Sequence, residues 1–185
     1  VNDDDPAAEV VRRTLAAPPS LGTRRLVCLD GPAGSGKTTL AARVRRAVPA
    51  EVPCRVVHLD DLYPGWDGLR AGVEHVVETV VRPFAEGRPG RYRRWDWHAS
   101  APGPWVDVPL VDLLVLEGVG AGSLLVDDLV TTLVWVEADH DVRLARGVQR
   151  EGVASRDDFV AWMASEAPYL DEQRTRARAD LVVRT

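Results

Sequence analysis

Cysteine is scarce in this chain, and its scarcity excludes a covalent scaffold. Cys28 and Cys54 are the two cysteines in 185 residues. That is too few for a disulfide framework, and Cys28 falls inside an apolar run that reads as a core strand. A reducing, cytoplasmic setting is the default expectation. His58, His75 and His140 show no metal-ligand spacing to a cysteine or to one another, so no zinc site is expected. No apolar run approaches the roughly 18 residues that a membrane-spanning helix needs, so no membrane partner is expected. The acidic opening Val-Asn-Asp-Asp-Asp-Pro has none of the basic and apolar character of a secretory leader. Positive charge is not in excess either. Lysine and arginine total 23 against 28 acids, for a net charge of −5, which argues against a nucleic-acid polymer as partner. A small anion, needing only a local cluster of arginines, stays open as a ligand. With 45% hydrophobic and 28% charged residues, no repeat and no low-complexity tract, the composition suits one globular domain over residues 1–185.

What is present is a glycine-rich loop in the right setting. Residues 26–40 read Leu-Val-Cys-Leu-Asp-Gly-Pro-Ala-Gly-Ser-Gly-Lys-Thr-Thr-Leu. They fit G-x-x-x-x-G-K-[ST] with Gly31, Gly36, Lys37 and Thr38 in the specified places. An apolar run precedes the motif, and a helix-compatible stretch from Thr38 to Val48 comes after it. Glycines allow backbone amides to turn around phosphate oxygens, and the helix start adds its positive dipole end. Gly31, Ala33, Gly34, Ser35, Gly36, Lys37, Thr38 and Thr39 are therefore candidate nucleotide contacts. Lys37 would reach the β- and γ-phosphates, and the Thr38 hydroxyl would ligate magnesium. The pattern predicts binding of a nucleoside triphosphate.

Around this motif, apolar patterning predicts helices over 6–16, 38–48, 69–81, 139–150 and 157–178. The third is expected to stop before Pro83, and the last to bend at Pro168. Strands are expected over 25–30, 55–59, 110–116, 131–136 and 181–183. Two of these, Leu110–Leu116 and Thr131–Val136, are nearly continuously apolar, as strands buried on both faces should be. Strands alternating with helices imply an α/β fold, a three-layer sandwich with about five parallel strands and helices on both faces. Three parts stand apart: an N-terminal helix and extension over 1–20, a Gly-, Pro-, Arg- and Trp-rich hairpin or loop over 84–105, and a lid region over 139–156. Ligands in such folds lie at the carboxyl ends of the strands, where Asp30-Gly31, Asp60 and Glu117 all fall.

Those strand ends carry the candidate chemistry. Asp60, in His58-Leu59-Asp60-Asp61-Leu62-Tyr63, could accept a proton from an acceptor hydroxyl, ligate magnesium, or both. Asp61 beside it leaves the identity of the base open. Glu117, closing the strand from Val111 to Leu116, has the form of a second magnesium-handling acid, although many such sites use aspartate. Arg143, Arg146 and Arg150 stand at i, i+3 and i+7 and could close over a triphosphate. The segment Arg88–His98 concentrates arginines, Trp95, Asp96, Trp97 and His98, which suits a pocket for a ring-bearing or phosphate-bearing acceptor. Tyr63 and Trp66 either line that pocket or pack beneath it.

These pieces resemble the uridine kinase-like branch of the P-loop kinases over about residues 26–183. Gly31–Thr38 matches that family's nucleotide loop, and Asp60-Asp61-Leu62-Tyr63 is similar to its D-x-[FL]-Y element. Leu116-Glu117-Gly118 resembles its E-G element. Asp141-Val142-Arg143-Leu144-Ala145-Arg146 resembles its D-x-R-L-x-R lid. The resemblance implies ATP and magnesium as donor and cofactor, with Asp60 as base for the acceptor hydroxyl. It gives catalytic roles to Lys37, Arg143 and Arg146, and a metal set of Thr38, Asp60 and Glu117. Acceptor contacts then fall to Asp60, Tyr63, Trp95, Asp96, His98 and Arg143. The departures lie in the acceptor site: no good equivalent of the family's ribose-holding aspartate comes after Asp67, a tryptophan stands where the family has tyrosine, and Gly147 replaces a common lid arginine. The expectation is a hydroxyl kinase of small metabolites. A nucleoside monophosphate kinase and a non-catalytic or switch-like nucleotide binder are the alternatives, and a homo-oligomer stays open. No N-K-x-D guanine-reading motif is present.

Overall fold

The computed structural model describes residues 5–185; residues 1–4, which open the expected N-terminal extension, lie outside the described residues. Five parallel strands form the central sheet: β1 (Arg25–Asp30), β2 (Cys54–His58), β5 (Leu113–Glu117), β6 (Thr132–Glu137) and β7 (Leu181–Arg184), in the order β2-β5-β1-β6-β7. The other two strands, β3 (Gly90–Asp96) and β4 (Ala101–Val108), make a separate antiparallel hairpin.

The near-continuous apolar strands are explained by what covers their faces. On one face Val27, Leu29, Leu113, Val115, Val134 and Val136 pack with α1 (Pro6–Ala16) and α2 (Lys37–Ala47) through Val10, Val11, Leu40 and Val44. On the other, Leu26, Cys28, Leu114, Leu116, Leu133 and Trp135 meet two helical segments. One is α3 (Leu69–Val76) with its continuation, through Val73, Val76, Val80 and Phe84; the other is α6 (Arg156–Gln173), through Phe159, Trp162 and Met163. Odd and even residues of each strand thus serve opposite layers, which is the expected three-layer sandwich. The first helix starts where its chemistry dictates. Asp5 caps it by accepting the Ala7 N–H at 2.9 Å, and Pro6 occupies the first turn, where no donor is needed.

One proline behaves differently from its sequence expectation. The helix starting at Leu69 does not stop before Pro83. It widens into a π-turn over Val77–Val81 and continues as α4 (Arg82–Ala85) with Pro83 near its start. A widened turn tolerates the missing proline N–H, because the i→i+4 ladder is already interrupted there. The hairpin exploits this turn: a Cβ on Gly90 would lie 2.8 Å from the Val80 Cα, so glycine lets β3 begin in contact with it. Pro168 does not break α6, which runs unbroken to Gln173. The break comes at Arg174, which takes a left-handed φ of 51° before the short α7 (Thr175–Arg178). The remaining helix, α5 (His140–Glu151), starts after Asp139 as expected.

At the carboxyl end of β1 sits Asp30, fully buried. Its carboxylate accepts the N–H groups of Gly31 at 2.7 Å, Gly120 at 2.7 Å and Gly122 at 3.0 Å. One side chain therefore ties the root of the phosphate loop to the loop after β5. Burial pushes its carboxyl upward, and the three amides and Lys37 oppose that shift. Asp30→Ala removes the acceptor of three buried donors at about 1–3 kcal/mol each. The expected outcome is a loss of about 3 kcal/mol or more of stability, seen as a lower urea midpoint at unchanged slope.

Candidate active site

The phosphate loop leaves β1 and enters α2 with Gly31, Gly34 and Gly36 at φ of 140°, 76° and 93°. Two of these are needed for space as well as for backbone freedom. A Cβ on Gly31 would sit 2.0 Å from the Val136 carbonyl, and one on Gly34 would sit 2.4 Å from the Arg143 carbonyl. The loop is thus wedged between β6 and α5. Lys37, at its helix end, is the only lysine in the chain. It is nearly buried, and its Nζ donates to the Pro32 carbonyl at 2.9 Å.

The loop forms one end of a cavity of about 1050 Å³. Thr38, one residue on, donates its hydroxyl to Glu117 Oε1 at 3.0 Å. The buried Glu117 carboxylate also takes a 2.5 Å contact from His58 Nδ1. Residues from α2, β5 and β2 therefore converge as a hydroxyl, a carboxylate and an imidazole beside the loop. A hydroxyl and a carboxylate are oxygen ligands of the kind a hard divalent cation takes, so Thr38 and Glu117 fit magnesium. Glycines at positive φ, a buried lysine and a helix start likewise fit a triphosphate.

Beyond this, a 3₁₀ turn at Leu59–Asp61 delivers Asp60 and Asp61 to the cavity wall. The two are used differently. Asp61 accepts Arg94 Nε at 2.8 Å and the Tyr92 hydroxyl at 3.4 Å, clamping the hairpin to the strand end. Burial and the Asp61 charge push the Tyr92 phenol up to about 12. Asp60 instead keeps its carboxylate half exposed, 3.8 Å from Arg150 on α5, while its backbone carbonyl accepts the Trp97 indole N–H at 3.0 Å. An aromatic wall stands next to them. Trp66 lies 5.2 Å from Trp97 and 6.2 Å from Trp162 between ring centroids, and Tyr63 lies 5.0 Å from Trp162. Tyr63 is held beneath by donating its hydroxyl to the Val119 carbonyl at 2.7 Å.

The structure brings Lys37, Thr38, Thr39, Asp60, Tyr63, His98, Glu117 and Arg146 to this cavity, together with Ala33, Gly34 and Gly36. Five sequence candidates are not among its lining residues, the first of them Gly31, buried at the root of the loop. Ser35 is fully buried, and its backbone carbonyl accepts the Thr185 hydroxyl at 2.9 Å. Arg143 is turned behind the loop, against the Ala33 carbonyl at 3.3 Å and Glu166 at 3.2 Å. Its expected contact with donor or acceptor is not what this arrangement supplies. Asp96 accepts the His98 and Ala99 N–H groups at 3.0 and 2.9 Å, a turn role that holds its carboxyl below the usual range. Trp95 pairs across the hairpin with Pro102, after a register shift between Arg93 and Trp95. That irregularity puts Trp97 and His98 at the cavity and leaves Trp95 and Asp96 outside it.

Sequence reasoning missed Phe159, Trp162 and Glu166, and it singled out no one arginine of the hairpin, where Arg94 lines the cavity. Glu166 had a signal. Phe159, Trp162, Met163, Glu166, Tyr169 and Leu170 form one buried helical stripe, and Glu166 is the acid within it.

No protein-family model matches the chain, and no curated protein matches its sequence. The fold is nevertheless shared. A structure from Bacillus stearothermophilus described as a possible uridine kinase is similar at TM-score 0.67 and 20% identity, over 96% of this chain and 97% of that one. A proposed fructose transport system kinase from Silicibacter sp. TM1040 is similar at TM-score 0.61 and 21% identity, over 96% and 98%. The five-stranded parallel sheet with flanking helices is the α/β fold of the P-loop kinases.

The hydrogen bond that Glu117 accepts raises the His58 pKa above its ordinary 6.5, aided by the nearby aspartates and opposed by partial burial. A raised folded value means that the contact stabilises the protein below about pH 6.5 and loses this effect as pH rises through the folded pKa. In an NMR titration of the magnesium-free protein, the His58 midpoint should lie above 6.5 and fall in Glu117→Gln. An unchanged midpoint would show that the pair does not form.

Proposed function

We propose that this protein is an ATP- and magnesium-dependent kinase that transfers the γ-phosphoryl group to a hydroxyl of a small, ring-bearing metabolite. The observation that carries this reading is the make-up of one cavity. Lys37, Thr38 and Glu117 stand at its loop end, and Asp60 stands on its wall beside the aromatic group of Trp66, Trp97 and Trp162. One end suits a triphosphate and a divalent ion; the other suits a flat or apolar body with a hydroxyl to be deprotonated.

In this reading Lys37 neutralises the β- and γ-phosphates from its buried position. Magnesium, held by Thr38 and Glu117, would supply charge neutralisation on the phosphate oxygens. The acceptor oxygen forms its bond to γ-phosphorus as the bond to the β-bridging oxygen breaks, releasing ADP. The acceptor proton passes to the Asp60 carboxylate. Arg146 and Arg150 line the same cavity and would stabilise charge that develops on the transferring group. Arg94 and Arg150 would also suit an acceptor that already carries phosphate. Their pairing with Asp61 and Asp60 favours the hydroxyl acceptor, because each cation already has a carboxylate nearby.

Two experiments test this. The first is magnesium-dependent ATP consumption against nucleosides, nucleoside monophosphates and sugar alcohols. Lys37→Ala should abolish transfer with the fold intact, and Asp60→Asn should lower kcat by about two to four orders of magnitude. Near-normal turnover in Asp60→Asn with a nucleoside monophosphate would move the reading to a phosphate acceptor. The second separates the aromatic wall from the hairpin's outer face. Trp97→Ala should raise the KM of the acceptor at least several-fold with the KM of ATP unchanged, whereas Trp95→Ala should alter neither. Equal effects at both positions would make the hairpin tip merely structural.

A further inference from the structure

Glu166 is a carboxylate with 1% exposure in the middle of the apolar stripe of α6. Burying an acid is costly unless it is fully paired, and here, besides Trp162 on its own helix, its partners come from two other elements. Both carboxylate oxygens accept the Ala33 N–H of the phosphate loop, at 3.0 and 2.9 Å. Arg143, in the first turn of α5, donates to Oε1 at 3.2 Å and to the Ala33 carbonyl at 3.3 Å. A third link is electrostatic, to Lys37. One turn back on α6, Trp162 stands in the aromatic wall of the cavity.

Arg146 and Arg150 lie three and seven residues beyond Arg143 on α5, and both reach the cavity while Arg143 does not. Arg146 donates to the Gly34 carbonyl at 3.4 Å, and Arg150 lies 3.8 Å from Asp60. The register of α5 against the loop therefore decides where these two guanidinium groups stand. Among the contacts that fix this register are the backbone approach at Gly34, where a Cβ would meet the Arg143 carbonyl at 2.4 Å, the close packing of Gly147 on Phe159, and the Glu166–Arg143 pair.

We propose that Glu166 is a positioning residue for phosphoryl transfer. Through Arg143 and Ala33 it locks α5 to the phosphate loop, so that Arg146 and Arg150 stand over the donor phosphates and the acceptor hydroxyl. The inference rests on the kinase reading. It assigns Arg143 to the lock rather than to the reacting atoms.

The test compares wild type with Glu166→Gln, which keeps the side-chain shape but cannot accept at both atoms. Arg143→Gln opens the same pair from the other side. The double variant, neutral at both positions, keeps the test available where either single variant fails to fold. Two measurements are made: steady-state kinetics with magnesium-ATP, and hydrogen–deuterium exchange with and without a non-hydrolysable ATP analogue. In wild type the analogue should protect both the loop and residues 140–150. In each variant the loop should still be protected and residues 140–150 should not. The kcat should fall at least tenfold, the KM of ATP should change less than threefold, and the double variant should be no worse than the singles. A Glu166→Gln enzyme with kcat within threefold of wild type would overturn the proposal. So would protection of residues 140–150 identical to wild type, or a wild type that binds the analogue without protecting them. A wild type that binds no nucleotide would overturn the kinase reading itself, and this inference with it.

Discussion

A loop that wraps backbone amides around an anion must satisfy its other side elsewhere, and most of this architecture derives from how that is done. Four of the five residues from Gly31 to Ser35 are fastened from outside the loop. Asp30 takes the Gly31 N–H, and Glu166 of α6 takes the Ala33 N–H. The Gly34 backbone lies against α5 and receives Arg146, while Thr185 at the end of β7 donates to the Ser35 carbonyl and itself receives Arg146. Pro32 closes the set from within, through Lys37 and the Ser35 N–H. The loop is therefore held in shape before any ligand arrives, which lowers the ordering cost that binding would otherwise carry.

The same fastening organises charge. Lys37 is the only lysine among 23 basic residues, so every other cation is an arginine. The division fits the geometry. A nearly buried point charge with three rotatable donors suits the inside of the loop, whereas planar, forked guanidinium groups suit ties to two partners at once. Arg143 bridges Glu166 and Ala33, Arg146 bridges Gly34 and Thr185, and Arg178 bridges Asp127 and the Gly122 and Gln173 carbonyls. Two buried carboxylates, Asp30 and Glu166, sit on the loop's protein side with amide donors to hold them. The half-exposed Asp60 is left on the solvent side, where proton exchange is feasible.

The donor side of the cavity is legible in the sequence because its chemistry is local. Gly31 to Thr38 is one contiguous motif, Glu117 is marked by the apolar strand it ends, and the strand pattern alone implies the parallel sheet. Legibility fails where a contact depends on a turn or on register. The π-turn at Val77–Val81, which lets a helix pass Pro83, leaves no mark in the apolar spacing. The shift between Arg93 and Trp95 decides which tryptophan reaches the cavity, and period-two alternation cannot reveal it. Spacing points Arg143 at the phosphates, yet spacing fixes only a helix face. In the structure Arg143 instead meets Glu166, 23 residues away in sequence.

The aromatic end of the cavity differs in kind from the phosphate loop. Its walls come from a 3₁₀ turn after β2, the tip of a hairpin and one face of α6, joined by Asp61–Arg94, the Asp60 carbonyl with Trp97, and ring contacts among three tryptophans. None of these ties runs through Lys37, Thr38 or Glu117. Hairpin residues can therefore change the shape of the aromatic end while Lys37, Thr38 and Glu117 stay fixed by the sheet and the helix that follows it. The exception is α6, because Trp162 and Glu166 lie one turn apart on the same buried stripe. The aromatic wall and the phosphate loop are joined there by a single helix turn. A substitution that displaces Trp162 therefore acts on both the aromatic wall and the Glu166 tie to the loop.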